Sequence, residues 1–209
     1  MTDKTFTVFL VDDDAGVLKA LSRLLRANRY EVHTFNSPHA FLAQHDSSVP
    51  GCAIFDVAMP GLDGLELQQA VTVGGAQRPV VFLTGKGDIP TSVRAMKAGA
   101  VDFLTKPVSD RDLLSAVARA KDQDGRTRQI HTELESIHAR MSTLTPRERE
   151  VLTHVIAGKL NKQIAGDLGT VEKTIKVHRG RMMKKLGLRS VADLVRLAEK
   201  AGILVQSKS

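Results

Sequence analysis

Residues 53–64 read Ala-Ile-Phe-Asp-Val-Ala-Met-Pro-Gly-Leu-Asp-Gly: an apolar run meets one carboxylate, Asp56, and breaks into a loop with Pro60, Gly61 and Gly64. An apolar run with turn residues behind it predicts a buried strand that ends in a loop. In an open α/β sheet, ligands and chemistry gather just beyond the carboxyl ends of the strands. Asp56 stands at such an end. Aspartate is also a common turn residue, so one carboxylate decides nothing; the other strand ends do.

Residues 6–11 form a first apolar strand, followed at once by Asp12, Asp13 and Asp14. Val17, Leu18, Leu21, Leu24 and Leu25 then recur at helical spacing. Residues 30–35 alternate as a second strand, residues 40–42 suggest a short helix, and the third strand runs to Asp56. A helix over 65–71, a fourth strand over 79–84, a helix over 92–97, a fifth strand over 101–104 and a helix over 110–120 follow. Strands alternating with helices at this spacing predict an α/β doubly wound, five-stranded parallel sheet covered on both faces.

The strand ends then supply Asp12 and Asp13, Asp56, Thr84, and the sequence Thr105-Lys106-Pro107. Each has a plain reading alone. The acidic run can cap the first helix, a role that suits Asp14; Thr84 can be an ordinary strand-end residue and Lys106 a solvated charge. Together they describe chemistry. Converging carboxylates repel one another unless a cation lies among them, and hard oxygen ligands in an open site suit Mg²⁺, with Mn²⁺ as a substitute. A hydroxyl and a lysine beside them fit a phosphoryl group whose charge needs neutralising. A carboxylate can itself be the nucleophile, forming an aspartyl-phosphate. Asp56 is therefore expected to accept a phosphoryl group, with Asp12 and Asp13 on the metal and Thr84 and Lys106 on the phosphate oxygens.

The 209 residues suffice for one large or two small domains. No apolar run is long enough to span a membrane, and the N-terminus lacks the pattern of a signal peptide. The single cysteine, Cys52, predicts a reducing compartment and a small core residue. A cytoplasmic protein is expected. Charge is unevenly spread: residues 142–209 carry 14 Lys and Arg against 6 Asp and Glu, a net +8, whereas residues 1–141 are at −1. Such asymmetry favours a polyanionic partner, nucleic acid above membrane.

Residues 121–128 are polar and hold a glycine, which suits a linker; Ile130, Leu134, Ile137 and Met141 then recur at intervals of 4, 3 and 4. That spacing fits either a coiled-coil seam or a helix lying against its own domain. The expected division is 1–122, a helical linker over 123–141, and 142–209. In the last part, Thr145, Pro146 and Glu148 spell a capping box, and the apolar face runs through Val151, Leu152, Val155 and Ile156 to Gly158. A short helix over 161–168, a turn at Gly169 and a basic helix over 172–186 predict a helix-turn-helix whose second helix enters the major groove. Residues 191–201 add a fourth helix.

The pattern Val11-Asp12-Asp13-Asp14, the run from Asp56 to Gly64, Thr84-Gly85 and Lys106-Pro107 resemble the receiver domain of two-component response regulators, over about residues 4–122. Leu144-Thr145, Gly158-x-x-Asn161, Thr174-Ile-Lys-Val-His178-Arg179 and Lys185-Leu-Gly-Leu are similar to the LuxR-type helix-turn-helix, over 144–204, so the whole chain resembles a FixJ/NarL-type regulator. The resemblance implies a flavodoxin-like receiver in which Asp56 takes a phosphoryl group from a sensor histidine kinase. It adds the backbone carbonyl of Ala58 to the Mg²⁺ ligands Asp12, Asp13 and Asp56, makes Thr84 and Phe103 the switch residues, and implies a cis Lys106–Pro107 bond. It also implies a homodimer on phosphorylation, binding to double-stranded promoter DNA, and RNA polymerase as a further partner. Lys176 and Val177 would face base edges, with Gly180 where relatives carry a longer side chain; Lys162, Lys173, Thr174, His178 and Arg179 would meet phosphates. Two departures follow. Ala58 offers no side chain to orient water and Lys86 adds a cation, so self-dephosphorylation should be slow. Val171 stands where the family has a capping Ser, which leaves Thr170 as the alternative cap. Two rival readings share these residues: a metal-dependent aspartyl-phosphate phosphatase or phosphotransferase, and a DNA-binding protein whose first domain is an unphosphorylated dimerisation module. No classical enzyme is expected.

Overall fold

The computed structural model describes residues 5–74, 77–85 and 89–203. The chain forms two compact units, divided between Arg128 and Gln129. In the first, strands β1 (Thr7–Val11), β2 (Glu31–Phe35), β3 (Gly51–Asp56), β4 (Val80–Thr84) and β5 (Asp102–Thr105) make one parallel sheet in the order β2-β1-β3-β4-β5. That is the flavodoxin-like order of a doubly wound sheet. The helices between them are α1 (Ala15–Ala27), α2 (Pro38–Gln44), α3 (Gly64–Val73) and α4 (Ile89–Lys97).

Alternation along the strands divides the core. Phe9, Val11, Ala53, Phe55, Val80 and Phe82 join one buried cluster with Phe41 and Leu67. Val8, Leu10, Cys52, Ile54, Val81 and Leu83 join another with Leu25, Leu113 and Val117. Residues two apart share a face, so each strand faces both layers of helices. β1, β3 and β4 are buried along their whole length, whereas β2, at the edge of the sheet, buries only Val32 and Phe35, one towards each layer of helices. Cys52 is fully buried, and burial pushes its thiol up to about 12, the setting of an inert core residue.

The parallel register brings the strand ends level. Val11 pairs with Phe35 on one side and Phe55 on the other, Asp56 with Leu83, and Thr84 with Thr105. Asp14 caps α1, its Oδ1 accepting from Gly16 N at 2.7 Å and Val17 N at 3.2 Å.

Helix α5 spans Asp110–Ser142, 33 residues, and takes in the polar stretch 121–128 with its Gly125. Buried Asp124 and the contacts of Arg128 hold this stretch in the helix, which composition does not report. Of the apolar positions further on, Ile137 is buried and Ile130 is 58 % exposed.

The second unit contains α6 (Pro146–Ile156), α7 (Asn161–Asp167), α8 (Glu172–Leu186) and α9 (Val191–Lys200). The capping box closes as read: Glu148 N donates to Thr145 Oγ1 at 3.3 Å and Thr145 N to Glu148 Oε2 at 2.9 Å. Ile164, Ile175, Met182, Leu186 and Leu194 pack with the inner face of α6. α8 begins at Glu172 with Val171 as its N-cap, and no side chain bonds that helix start. Thr170 does not take the capping position.

Candidate phosphoacceptor site and nucleic-acid interface

Asp56 is the last residue of β3 and Asp12 follows β1 directly; both are buried, at 4 % and 3 % exposure. The next strand ends bring buried Thr84 and half-buried Lys106. Lys106 is held there by its backbone: its N–H donates to Thr84 O at 2.7 Å, and the Lys106–Pro107 bond is cis. Its ammonium spans the two carboxylates, 2.6 Å from Asp12 Oδ2 and 2.7 Å from Asp56 Oδ1. The remaining oxygens meet backbone donors. Asp56 Oδ2 accepts from Ala58 N at 2.8 Å, and Asp12 Oδ1 from Asp14 N at 3.0 Å.

Burial disfavours the charged forms of Asp12 and Lys106. It raises the Asp12 carboxyl above its ordinary value against the opposing pull of Lys106. Burial would lower Lys106, but the hydrogen bonds and the charges of Asp12 and Asp56 together outweigh it and hold the ammonium above its ordinary value. Among the described residues, two buried carboxylates thus share the one ammonium of Lys106.

Asp13 lies exposed beside Asp12, and Ala58 is exposed with only a methyl side chain, which carries no polar group. Phe103 is half-buried on β5, its ring 6.3 Å from that of Phe82. Lys86 lies outside the described residues, as does Leu204. Among the described residues no group of three or more acidic, His or Cys side chains is gathered closely enough to hold a metal as it stands. The donors fit Mg²⁺ by their chemistry, being hard carboxylate oxygens with an unbalanced negative charge.

In the second unit, α8 turns Ile175, Met182 and Leu186 inward and leaves Lys173, Lys176, Val177 and Gly180 exposed along one face. Val177 is 45 % exposed, an apolar side chain on an otherwise basic surface. Lys176 pairs with Glu172 at 3.2 Å, Lys162 is exposed on α7, and Thr174 and His178 are half-buried. Arg179 donates to Asn161 Oδ1 at 3.0 Å, tying α8 to the start of α7. Lys185, one of the basic charges of this helix, is turned to Glu148 at 2.6 Å. Neither pairing is visible in the sequence, because each joins residues far apart in it.

A doubly wound sheet with acidic strand ends, followed by a basic helix-turn-helix unit, defines a two-domain DNA-binding regulator. The family model of the response regulator receiver domain matches residues 8–118, and that of the bacterial regulatory proteins of the luxR family matches residues 142–198. The chain is 42 % identical to nodulation protein W of Bradyrhizobium diazoefficiens, over 94 % of this chain and 86 % of that protein. It is 39 % identical to the transcriptional regulatory protein FixJ of the same organism, over 94 % and 96 %. Among solved structures, that of the response regulator StyR is similar with a TM-score of 0.85 at 45 % identity, covering 94 % of this chain and 99 % of that one. The chain belongs to the FixJ/NarL-type transcriptional response regulators, with a receiver domain and a LuxR-type DNA-binding domain. No described helix is long and apolar enough to cross a membrane.

Proposed function

We propose that this regulator works in the cytoplasm as the output half of a two-component pair, over domains 1–122 and 142–209 joined by a helical linker at 123–141. Asp56 accepts a phosphoryl group from the phosphohistidine of a sensor kinase: the P–N bond breaks as the aspartyl oxygen forms its bond to phosphorus. Asp12, Asp13, Asp56 and the Ala58 carbonyl hold Mg²⁺, which when bound neutralises charge on the transferring group. Lys106 and the Thr84 hydroxyl bond the phosphate oxygens once they arrive. The observation that carries this reading is the bridged pair itself, two buried carboxylates sharing the Lys106 ammonium at the end of adjacent strands.

A phosphoryl group brings roughly two negative charges to the mouth of the sheet. Lys106 and Thr84 shift to meet them, Phe103 changes rotamer, and the face formed by α4, β5 and α5 repacks. That bias promotes a homodimer, exposes the DNA-binding domain, or both. On promoter DNA, Lys176 and Val177 read base edges beside Gly180, while Lys162, Lys173, Thr174, His178 and Arg179 fix the register through phosphates. RNA polymerase is then met at the promoter. Two-fold symmetry asks for half-sites about one helical turn apart.

Incubation with acetyl phosphate and Mg²⁺ tests the chemistry. The expected product is one stable phosphoryl group per chain, absent in Asp56→Asn. Continuous turnover of the donor would make the protein an enzyme instead, and no uptake at all would leave a dimerisation module.

A further inference from the structure

The rim of the sheet opposite the acidic mouth carries charges that phosphoryl chemistry leaves unused. Asp124 is 4 % exposed although it lies in a stretch whose composition suits a linker. Its Oδ2 accepts from the backbone N–H of Gly51, the first residue of β3, at 3.2 Å. Both its oxygens accept from Arg128 Nε, at 3.0 and 2.9 Å. Arg128 also donates to three carbonyls of the loop before β3: Nη1 to Ser48 O at 3.1 Å, and Nη2 to Ser47 O at 3.0 Å and Val49 O at 2.7 Å. Arg78, two residues before β4, reaches the same loop, donating to Asp46 O at 2.8 Å and Val49 O at 3.1 Å.

These contacts exceed what an ordinary surface pair makes. An exposed i,i+4 pair is nearly neutral in energy. Here the carboxylate is buried, and a buried charge persists only when paired and hydrogen-bonded. The planar fork of arginine suits several fixed acceptors at once. Gly51 is equally committed, because a Cβ there would fall 2.0 Å from Thr7 O.

β3 therefore carries both ends of one link. Its first residue is bonded to Asp124 on α5, and its last is Asp56. The strand pairs with β1 on one side and β4 on the other, so it is braced along its length. Gly125 stands beside the contact, and a glycine inside a helix weakens it.

We propose that Asp124 and Arg128 form a strap that fixes the extension of α5 to the entrance of β3. The strap positions that helix so that phosphorylation of Asp56 is passed on to DNA binding. The inference rests on the phosphorylation reading above. Asp124 and Arg128 are positioning residues that touch neither phosphoryl group nor DNA.

The test uses full-length Arg128→Ala and Arg128→Lys beside wild type. Three quantities are read: phosphoryl uptake from acetyl phosphate with Mg²⁺, amide exchange across residues 121–132, and affinity for a duplex that wild type selects from a random library, with and without acetyl phosphate. Uptake should be equal in all three proteins, and exchange over 121–128 should rise ~10-fold or more in Arg128→Ala. The phosphorylation-dependent gain in affinity should fall from ~5-fold or more in wild type to about one in Arg128→Ala. Arg128→Lys, which keeps the charge but cannot span three carbonyls, should lie between. Unchanged exchange, or a wild-type gain in Arg128→Ala, overturns the strap alone, and so does lost uptake, which would place the effect at Asp56. A wild type with no phosphorylation-dependent gain overturns the functional reading, and the strap with it.

Discussion

Each unit sets a lysine against buried carboxylate, at nearly the same distance. Lys106 lies 2.6 Å from Asp12 and 2.7 Å from Asp56 in the receiver unit, and Lys185 lies 2.6 Å from Glu148 in the helical unit. Their surroundings differ. Glu148 has one cation for its one charge, and the oxygen that meets Lys185 also accepts from Thr145 N, so charge and hydrogen bonding are balanced. At the sheet mouth two buried carboxylates share one ammonium, with exposed Asp13 adjoining. A short buried ion pair is thus no mark of function in itself. Among the described residues, the surplus of negative charge at converging strand ends is what a divalent metal ion would offset.

Removing each lysine should separate the two cases most strongly. Lys185→Met leaves Glu148 buried without its cation, and thermal unfolding should show a loss of about 1–3 kcal/mol that Mg²⁺ does not restore. Lys106→Met leaves Asp12 and Asp56 facing each other, and here added Mg²⁺ should raise the melting temperature by more than it does for wild type. Equal responses to Mg²⁺ in the two variants would erase the contrast.

The receiver side can be sharpened at Ala58. Asparagine there supplies a group to position water, so the phosphorylated variant should lose its phosphate roughly tenfold faster than wild type, about 1.4 kcal/mol off the barrier. Phosphoryl lifetimes measured by mass spectrometry decide the point; unchanged lifetimes would remove Ala58 from the account.

The helical side has a pH signature. Lys185, with help from Thr145, holds the Glu148 carboxyl below its ordinary value of 4.5. The unfolded chain takes up that proton first, so the stabilisation is complete above pH 4.5 and is lost as pH falls through the lower folded value. Glu148→Gln should flatten this part of the stability-against-pH curve of the DNA-binding domain. The smallest effect belongs to the uncapped start of α8. Val171→Ser should add a cap worth about 0.5–2 kcal/mol, read as a higher denaturation midpoint.

What the sequence makes legible follows the same divide. The sheet mouth lies at the ends of apolar runs, and strand order then brings those ends together, so Asp12, Asp56, Thr84 and Lys106 can be picked out by position alone. The capping box at Thr145 and Glu148 is local and equally readable. Lys185 turning to Glu148, Arg179 turning to Asn161, and Asp124 reaching Gly51 across 73 positions are not. Each depends on tertiary packing that no short window contains. The polar stretch 121–128 looks like a linker for the same reason: its buried carboxylate finds its partner at the start of β3 and its arginine on the loop before it.

On the proposed reading, forming an acyl phosphate on one buried carboxylate changes how a separate helical domain holds DNA. Titration of a selected duplex with full-length wild type and Asp56→Asn, each with and without acetyl phosphate and Mg²⁺, decides the matter. Phosphorylated wild type should bind roughly 5–150-fold tighter, the range of a 1–3 kcal/mol coupling, and Asp56→Asn should show no response. Equal affinities for treated and untreated wild type, with the phosphoryl group verified in place, would contradict that reading.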